Sequence, residues 1–331
     1  MTAFKSYLSA RFKSNIQTII YILVVVLSIT LITALTGQVE KRYDWNTYDY
    51  IYVYNSTTYI PVVCMCILAY LLPVMEFSFF KKRINLDCAY SMPISRRAMG
   101  AAHFLSGATI LAGTYTLSYL ANLIVMLTRG PGIYNYVWMI PHYFLCLVLG
   151  LALYSFLTML FNKANTRGDG IWFMILWTFI IILVVGAIQC VTEIYIEYSS
   201  CAIPWVTIGQ LSIHYTALID SKSSVEFWEN TGCVAWFCVW IAIGIASAVD
   251  FFLTFGKQRM EKTEEISDHI LGYRTLIPIY AIAGMIVFDD IILWIIIEIL
   301  AVIGYAIYRR GFRFKPGEIV FLIALLLFLV I

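Results

Sequence analysis

One basic segment decides how this chain is arranged, and it reads Phe79-Phe-Lys-Lys-Arg-Ile-Asn-Leu-Asp-Cys-Ala-Tyr-Ser-Met-Pro-Ile-Ser-Arg-Arg-Ala-Met99. It lies between two apolar runs, residues 56–78 and 101–127, each long enough to cross a bilayer. Five of the 22 Lys and Arg residues fall inside it, against a single acid, Asp87. By the positive-inside rule, a short loop this basic stays on the cytoplasmic side of a membrane. The segment therefore predicts both a membrane-spanning fold and its orientation.

The composition leads to the same class of protein. Hydrophobic residues make up 61% of the chain and charged residues only 13%, whereas about a quarter of the residues of a soluble domain are charged. We expect an all-α, polytopic transmembrane helical bundle. The first apolar run, Ile16 to Thr36, has no small-residue cleavage site after it, so it reads as a true span and not as a removable signal peptide.

Six spans are predicted within residues 1–255, which we expect to form the core of the bundle. They are placed at 16–36, 56–78, 101–127, 138–161, 170–190 and 232–255. This scheme puts 18 of the 22 basic residues in inner segments and ten of the 20 acids in outer ones. The asymmetry predicts a multi-pass protein of the cell membrane with a cytoplasmic N-terminus. The longest outer segment is 191–230, in which residues 202–208 are apolar enough to dip back into the outer leaflet.

Residues 1–15 carry an apolar stripe, with basic side chains around it. The stripe consists of Phe4, Tyr7, Leu8 and Phe12. This spacing favours an amphipathic helix lying at the inner membrane interface. The alternative is an ordinary basic tail that only sets the orientation.

The last 76 residues, 256–331, follow a different pattern. Two shorter apolar runs, 275–288 and 291–308, are divided by Asp289-Asp290, and two adjacent carboxylates are too costly for hydrocarbon. They predict a helical hairpin that adds to the core. The final run, 318–331, reads as a half-span or as part of a longer chain.

Three polar residues inside predicted spans are candidates for substrate contact: Glu298, Asp250 and Asn122. For Glu298 a substrate or proton contact and a structural contact to another helix both remain open, since an intramembrane carboxylate needs a partner or a proton. For Asp250 we favour a packing role. Glu76 is expected to pair with a Lys or Arg of the basic segment.

The spacing of the histidines and cysteines bears on metal sites and disulfides. The four histidines (His103, His142, His214 and His269) have none of the spacings of metal ligands, so no metal site is predicted. Cys190 and Cys201 flank a predicted outer loop, which leaves a disulfide between them open.

The phrase Asn85-Leu-Asp-Cys-Ala-Tyr-Ser-Met-Pro-Ile-Ser-Arg-Arg97, together with the span pattern, resembles the type-2 permease family of ATP-binding-cassette transporters. The resemblance covers residues 1–255. It implies that segment 79–100 forms a coupling helix seated on a cytoplasmic ATPase, a role that falls on Asn85, Leu86, Asp87, Tyr90, Met92, Arg96 and Arg97. It also implies a second permease, the same chain or a relative, and an amphipathic cargo such as a peptide antibiotic or a lipid-like molecule.

The chain has no G-x-x-x-x-G-K-[ST] phosphate loop. In the transporter interpretation, ATP and Mg²⁺ are therefore held by the partner ATPase, and this chain carries no cofactor and is not itself an enzyme. Membrane lipid is expected as a partner and nucleic acid is not. Two rival interpretations stay open: a membrane-embedded enzyme acting on lipid or isoprenoid substrates, and a channel or signalling protein.

Overall fold

The computed structural model describes residues 2–37, 39–44, 49–54, 57–85, 91, 93–128, 134–193, 199–220, 228, 231–257, 263–265, 267–288 and 290–330. Within these ranges the chain is almost entirely helical. The α-helices are α1 (Thr2–Ser14), α2 (Ile16–Thr36), α3 (Tyr59–Phe77), α4 (Arg96–Thr128), α5 (Met139–Lys163), α6 (Arg167–Thr192), α7 (Pro204–Ile219), α8 (Thr231–Thr254), α9 (Tyr273–Val287), α10 (Ile291–Arg309) and α11 (Pro316–Val330).

Seven helical segments among the described residues are long and apolar enough to cross a membrane. They correspond to α2, α3, α4, α5, α6, α8 and α10, several of them extended by a short 3₁₀ turn. The chain is therefore an all-α, multi-pass membrane protein. Helices α9 and α11 are apolar but shorter.

Two short strands follow α2 and were not predicted. β1 (Val39–Asp44) pairs antiparallel with β2 (Asp49–Tyr54), with Val39 opposite Tyr54 and Asp44 opposite Asp49. The stretch is rich in tyrosine and valine, which favour strands. They pair with each other at Val39–Tyr54 and Tyr43–Tyr50, and the other positions set charged residues of β1 opposite β2.

The core lies where α3, α4, α5, α7 and α8 meet. Its large buried side chains include Met65, Leu111, Leu153 and Phe251. A glycine allows the backbones of α5 and α8 to approach each other: a Cβ added at Gly244 would lie 2.6 Å from the Cα of Ala152. Such close backbone approach at small residues is the usual way in which membrane helices gain packing energy.

The loops predicted to be basic and internal all lie at one end of the bundle, which we call the basic end. It comprises α1 and residues 78–85, 163–169, 255–257, 263–265, 267–269 and 309–315. Contacts across it include Lys81 with Asn162, Arg83 with Thr263, and Tyr308 with Asp268. The other end, formed by residues 57–58, 134–139, 199–220 and 231–233, is called the opposite end.

The predicted outer segment contains a longer helix than expected. The run 202–208 was predicted to dip back into the membrane, whereas the helix α7 continues from Pro204 to Ile219. Its buried side chains, among them Ile208, Leu211 and Tyr215, belong to the main core. α7 is thus an integral part of the bundle at the opposite end.

The C-terminal helices pack on α6. The hydroxyl of Tyr280 in α9 donates to the carbonyl of Leu176 at 2.5 Å, and Nε1 of Trp177 donates to the carbonyl of Leu271 at 2.8 Å. Helices α10 and α11 complete a second apolar cluster around Ala281 and Tyr305. The final apolar run forms a single helix, with an ion pair between Arg309 and Glu318 where the chain turns into it.

Candidate functional site

A buried carboxylate stands at the centre of the basic end. Glu76, in the last turn of α3, is only 2% exposed. Its Oε2 lies 3.2 Å from Nη2 of Arg11 and 3.0 Å from Nδ1 of His103. Its Oε1 accepts hydrogen bonds from Asn15 Nδ2 at 3.3 Å and from Ser106 Oγ at 3.2 Å.

The hydrogen-bond directions in this Glu76 cluster are mutually consistent. Because Nδ1 of His103 donates to the carboxylate, Nε2 of the neutral ring is left as an acceptor. The hydroxyl of Tyr7, 3.0 Å away, fills that position. The cluster therefore joins α1, α3 and α4 through charge-assisted hydrogen bonds.

The prediction of which residue forms an ion pair with Glu76 was wrong. We expected a Lys or Arg of the 79–99 segment, but Arg11 of α1 provides the ion pair, 65 positions away in the sequence. Tyr7 on the predicted apolar stripe of α1 reaches into the cluster, so that face of the helix packs on the bundle. The sequence does contain a signal for this site: Glu76 and His103 are polar residues within predicted spans, and Arg11 in the N-terminal helix carries the opposite charge to Glu76.

The first half of the basic segment is anchored to three other parts of the basic end. Nζ of Lys81 donates to the carbonyls of Asn162, at 3.1 Å, and Ala164. Nε of Arg83 donates to the carbonyl of Thr263 at 2.8 Å. Nε of Arg167 donates to the carbonyl of Ser78 at 3.0 Å. These hydrogen bonds connect the segment to α5, α6 and residues 263–265.

Three of the seven residues assigned to the coupling role can be located. Nδ2 of Asn85 donates to the carbonyl of Phe79 at 3.4 Å, so this side chain holds the turn of its own segment. Arg96 and Arg97 are exposed at the start of α4. A Cβ added at Gly256 would lie 2.7 Å from Cγ of Arg97, which places the arginine stem against that glycine. Leu86, Asp87, Tyr90 and Met92 lie outside the described residues.

Two exposed apolar side chains at the basic end were missed. Ile84 is 82% exposed and Phe312 is 80% exposed. Both flank residues 263–265, since Arg83 contacts Thr263 and Arg310 contacts the carbonyl of Glu264. Neither stood out in the sequence, because a single apolar residue in a basic loop has no periodicity to reveal it.

A cavity of about 300 Å³ opens beside the basic segment. Its wall carries three lysines, Lys81, Lys163 and Lys257. Nζ of Lys163 lies 2.7 Å from Oδ2 of Asp250. Burial, reinforced by the charge of Lys163, lowers the pKa of His269 on the same wall. The imidazole therefore stays neutral at physiological pH and adds no positive charge to the cavity.

The three intramembrane candidates do not form one site. Asp250 pairs with Lys163 at the basic end, in line with a packing role. Asn122 is buried towards the opposite end, where its Oδ1 accepts a hydrogen bond from Thr57 Oγ1 at 2.6 Å. Glu298 lies in α10, one turn before Ala301, and makes no hydrogen bond or ion pair with another described residue.

The opposite end contains a second buried network, which is neutral. Oγ of Ser212 lies 3.0 Å from Nε2 of His142, and Nδ1 of His142 lies 2.9 Å from the hydroxyl of Tyr119. The Tyr119 hydroxyl in turn donates to the carbonyl of Met139 at 3.1 Å. Each donor has an acceptor when Nδ1 of His142 carries the proton. The sequence did not reveal this chain of bonds, because its side chains come from three separate helices.

This network has the connectivity of a nucleophile, a base and an orienting group. Ser212 and His142 are nevertheless only 1% and 0% exposed. Tyr119 supplies a neutral oxygen, where an orienting carboxylate would stabilise an imidazolium. The geometry fits a structural clamp between α4, α5 and α7.

Among the described residues no group of His, Cys, Asp and Glu could hold a metal ion. The sequence left a disulfide between Cys190 and Cys201 open, but in the structure Cys201 instead faces Cys233, with 3.9 Å between the Sγ atoms.

A scan against protein-family models found no match, and comparisons with curated proteins and with solved structures found no significant similarity.

Proposed function

We propose that this chain is the permease subunit of an ATP-driven exporter in a bacterial cell membrane. Segment 79–99 would dock on a separate cytoplasmic ATPase, and the basic end would face the cytoplasm. The observation that carries the proposal is the anchoring of this segment. The segment begins just after Glu76, which contacts Arg11 of α1 and His103 of α4. Within the segment, Lys81 and Arg83 donate hydrogen bonds to the carbonyls of Asn162 and Thr263.

These contacts would allow movement of a bound ATPase to change the arrangement of the membrane helices. A partner can shift a conformational equilibrium only by as much as its contacts differ between the two states. A force on the segment would reach α3 and α4 through the Glu76 cluster, and α5 and α6 through Lys81 and Arg167. The exposed side chains of Ile84, Arg96 and Arg97 offer apolar and cationic contacts to an acidic groove.

The remaining parts of the transporter would come from other molecules. ATP and Mg²⁺ would bind the ATPase subunit, and a second permease would complete the pathway. The apolar side chains exposed on α2 and α10, such as Val24 and Ile299, would face lipid or that second permease. An amphipathic cargo, a peptide antibiotic or a lipid-like molecule, suits a pathway lined by such helices.

The test is co-purification. The tagged chain is solubilised from its native cell, and ATPase activity is assayed in the eluate for the wild type, Leu86→Asp and Arg96→Glu. Arg313→Glu is the matched control, because it makes the same charge change on an exposed residue of the basic end outside the segment. We expect activity with the wild type and the control, and its loss in both segment variants.

Equal ATPase activity in all four eluates would reject the segment as the docking site. An eluate of the wild type without ATPase activity would reject the transporter itself.

The rival enzyme interpretation rests on one observation, the Ser212–His142–Tyr119 chain. A lipid-acting hydrolase built on it would be labelled at Ser212 by a fluorophosphonate probe in membranes, and Ser212→Ala would abolish the labelling. We expect no labelling of the wild type, since Ser212 is closed to solvent and to substrate.

A further inference from the structure

Two buried cysteines face each other at the opposite end. Cys201 lies in the 3₁₀ turn Ser199–Ala202 before α7, and Cys233 lies in the first turn of α8. Their Sγ atoms are 3.9 Å apart, although the residues are 32 positions apart in the sequence. Cys201 is 0% exposed and Cys233 is 3% exposed. A disulfide requires an S–S distance of about 2.05 Å, so the two sulfur atoms would have to approach each other from their 3.9 Å contact.

The other described cysteines are placed differently. Cys64, Cys66 and Cys146 lie in the interior of membrane-spanning helices, whereas Cys233 lies in the first turn of its span. Cys190 and Cys238 are exposed. Among the cysteines that the structure describes, Cys201 and Cys233 are the pair whose sulfur atoms are in contact. Their position is also the one that an oxidising compartment would reach, because the basic end is assigned to the cytoplasm and these residues lie at the opposite end. Disulfides form and persist in such compartments.

We propose that Cys201 and Cys233 form a disulfide in the native protein, which ties the start of α7 to the start of α8. The oxidant is a disulfide-bearing thiol oxidoreductase of the extracytoplasmic space. Two S–H bonds of the protein break and one S–S bond forms, while the oxidant's disulfide takes up the two electrons and two protons and becomes two thiols.

The bond closes a loop that contains all of α7. That helix carries Ser212 and Tyr215, and it contacts α3 through the Thr58–Thr216 hydrogen bond at 2.9 Å. A cross-link across such a loop restricts the unfolded chain, which stabilises the folded arrangement of the segment it encloses. The disulfide would therefore hold the opposite end as one unit.

The test maps the thiols in the full chain from its native membrane. Cells are quenched with N-ethylmaleimide, the protein is digested without reductant, and the peptides are identified by mass spectrometry. We expect a peptide pair linked through positions 201 and 233 in the wild type and in Cys190→Ala, which is the matched control. Cys201→Ala and Cys233→Ala lack the linked pair and unfold at a temperature several degrees lower than Cys190→Ala.

The proposal is overturned if both thiols carry N-ethylmaleimide, or if Cys201 is linked to Cys190. Orientation is measured separately in intact cells with a membrane-impermeant maleimide on Asn135→Cys, an exposed position of the opposite end, and on Lys5→Cys in α1. Labelling of Asn135→Cys together with reduced Cys201 and Cys233 overturns the disulfide alone. Labelling of Lys5→Cys instead overturns the assigned orientation and, with it, the compartment on which the disulfide depends.

Discussion

The two ends of the bundle are held together by different chemistry. The ion pairs that join described residues lie at the basic end: Arg11–Glu76, Arg83–Glu265, Lys163–Asp250 and Arg309–Glu318. Neutral His103 adds a hydrogen bond to Glu76 there. At the opposite end hydroxyl, amide and imidazole groups form neutral hydrogen bonds, as in Thr57–Asn122 and Ser212–His142.

The difference bears on the docking site proposed for the basic end. The neutral network of the opposite end is buried, although this end also exposes apolar side chains such as Val137 and Trp205. The basic end instead combines internal ion pairs with exposed cationic and apolar side chains, such as Arg96 and Ile84. Electrostatic complementarity then favours an acidic partner at this end.

The largest expected effect tests the ion pair at the centre of the basic end. Glu76→Leu leaves Arg11 and His103 without their buried partner, and breaking a buried pair in this way costs about 3–5 kcal/mol. Glu265→Ala is the matched control, because its pair with Arg83 is exposed and exposed pairs contribute about 1 kcal/mol or less. Thermal unfolding in detergent measures both. Similar losses in the two variants would mean that the Glu76 cluster does not hold the basic end.

The next effect concerns the close contact between α5 and α8. Gly244→Ala places a methyl group against the backbone of Ala152, and overpacking of this kind costs about 1–3 kcal/mol. Gly113→Ala, at a glycine of α4 with open space around it, should be neutral or slightly stabilising. Gly244→Ala should therefore lower the unfolding temperature clearly, whereas Gly113→Ala should not. Equal changes in the two variants would contradict the close packing of α5 on α8.

At the opposite end the expected loss is smaller than at Glu76. His142→Phe removes the acceptor of the buried Ser212 hydroxyl, and one unsatisfied buried group costs about 1–3 kcal/mol. The double variant His142→Phe, Ser212→Ala removes both partners and should recover part of this loss. If the double variant is less stable than the single one, the hydrogen bond assigned to Ser212 is not the source of the effect.

The smallest effect depends on pH. The hydroxyl of Tyr308 donates to Oδ1 of Asp268 at 2.6 Å and lowers the pKa of that carboxyl. A lowered pKa in the folded state contributes stability above the unfolded-state pKa, and this contribution is lost as the pH falls through the folded-state value. Because Asp268 is exposed, the contribution is below about 1 kcal/mol.

Asp268→Asn should thus unfold at a slightly lower temperature than the wild type at pH 6. This difference in unfolding temperature should shrink as the pH falls below about 4, the usual pKa of an aspartate. A difference in unfolding temperature that does not shrink at all as the pH falls from 6 to about 2 would assign it to packing. In a Tyr308→Phe background the difference at pH 6 should be smaller.

The sequence predicts most of the fold because hydrocarbon selects for uninterrupted apolar runs. The first span was expected at 16–36, and α2 covers the same residues. The gathering of basic loops at one end also follows from the sequence, since charge cannot be left in the membrane. Helix α4, however, begins at Arg96 and not at 101, because a helix can extend past the membrane where its basic residues meet water.

The candidate site could be predicted only in part. The basic segment stands out by its charge, but the partner of Glu76 depends on how α1 folds back onto α3, which no local pattern encodes. The contact of Cys201 with Cys233 likewise depends on where α7 packs. The strands β1 and β2 escaped prediction because tyrosine-rich segments suit both a membrane boundary and a hairpin.

The central claim is that the basic end binds a cytoplasmic ATPase through the 79–99 segment. The most direct measurement places a photoreactive amino acid at position 84, with position 137 at the opposite end as the control, since Ile84 and Val137 are both highly exposed. After irradiation of native cells, the cross-linked partner is identified by mass spectrometry and assayed for ATP hydrolysis. The account predicts capture of an ATPase from position 84 and none from position 137. Capture of an ATPase from position 137, or of none from position 84, would contradict it.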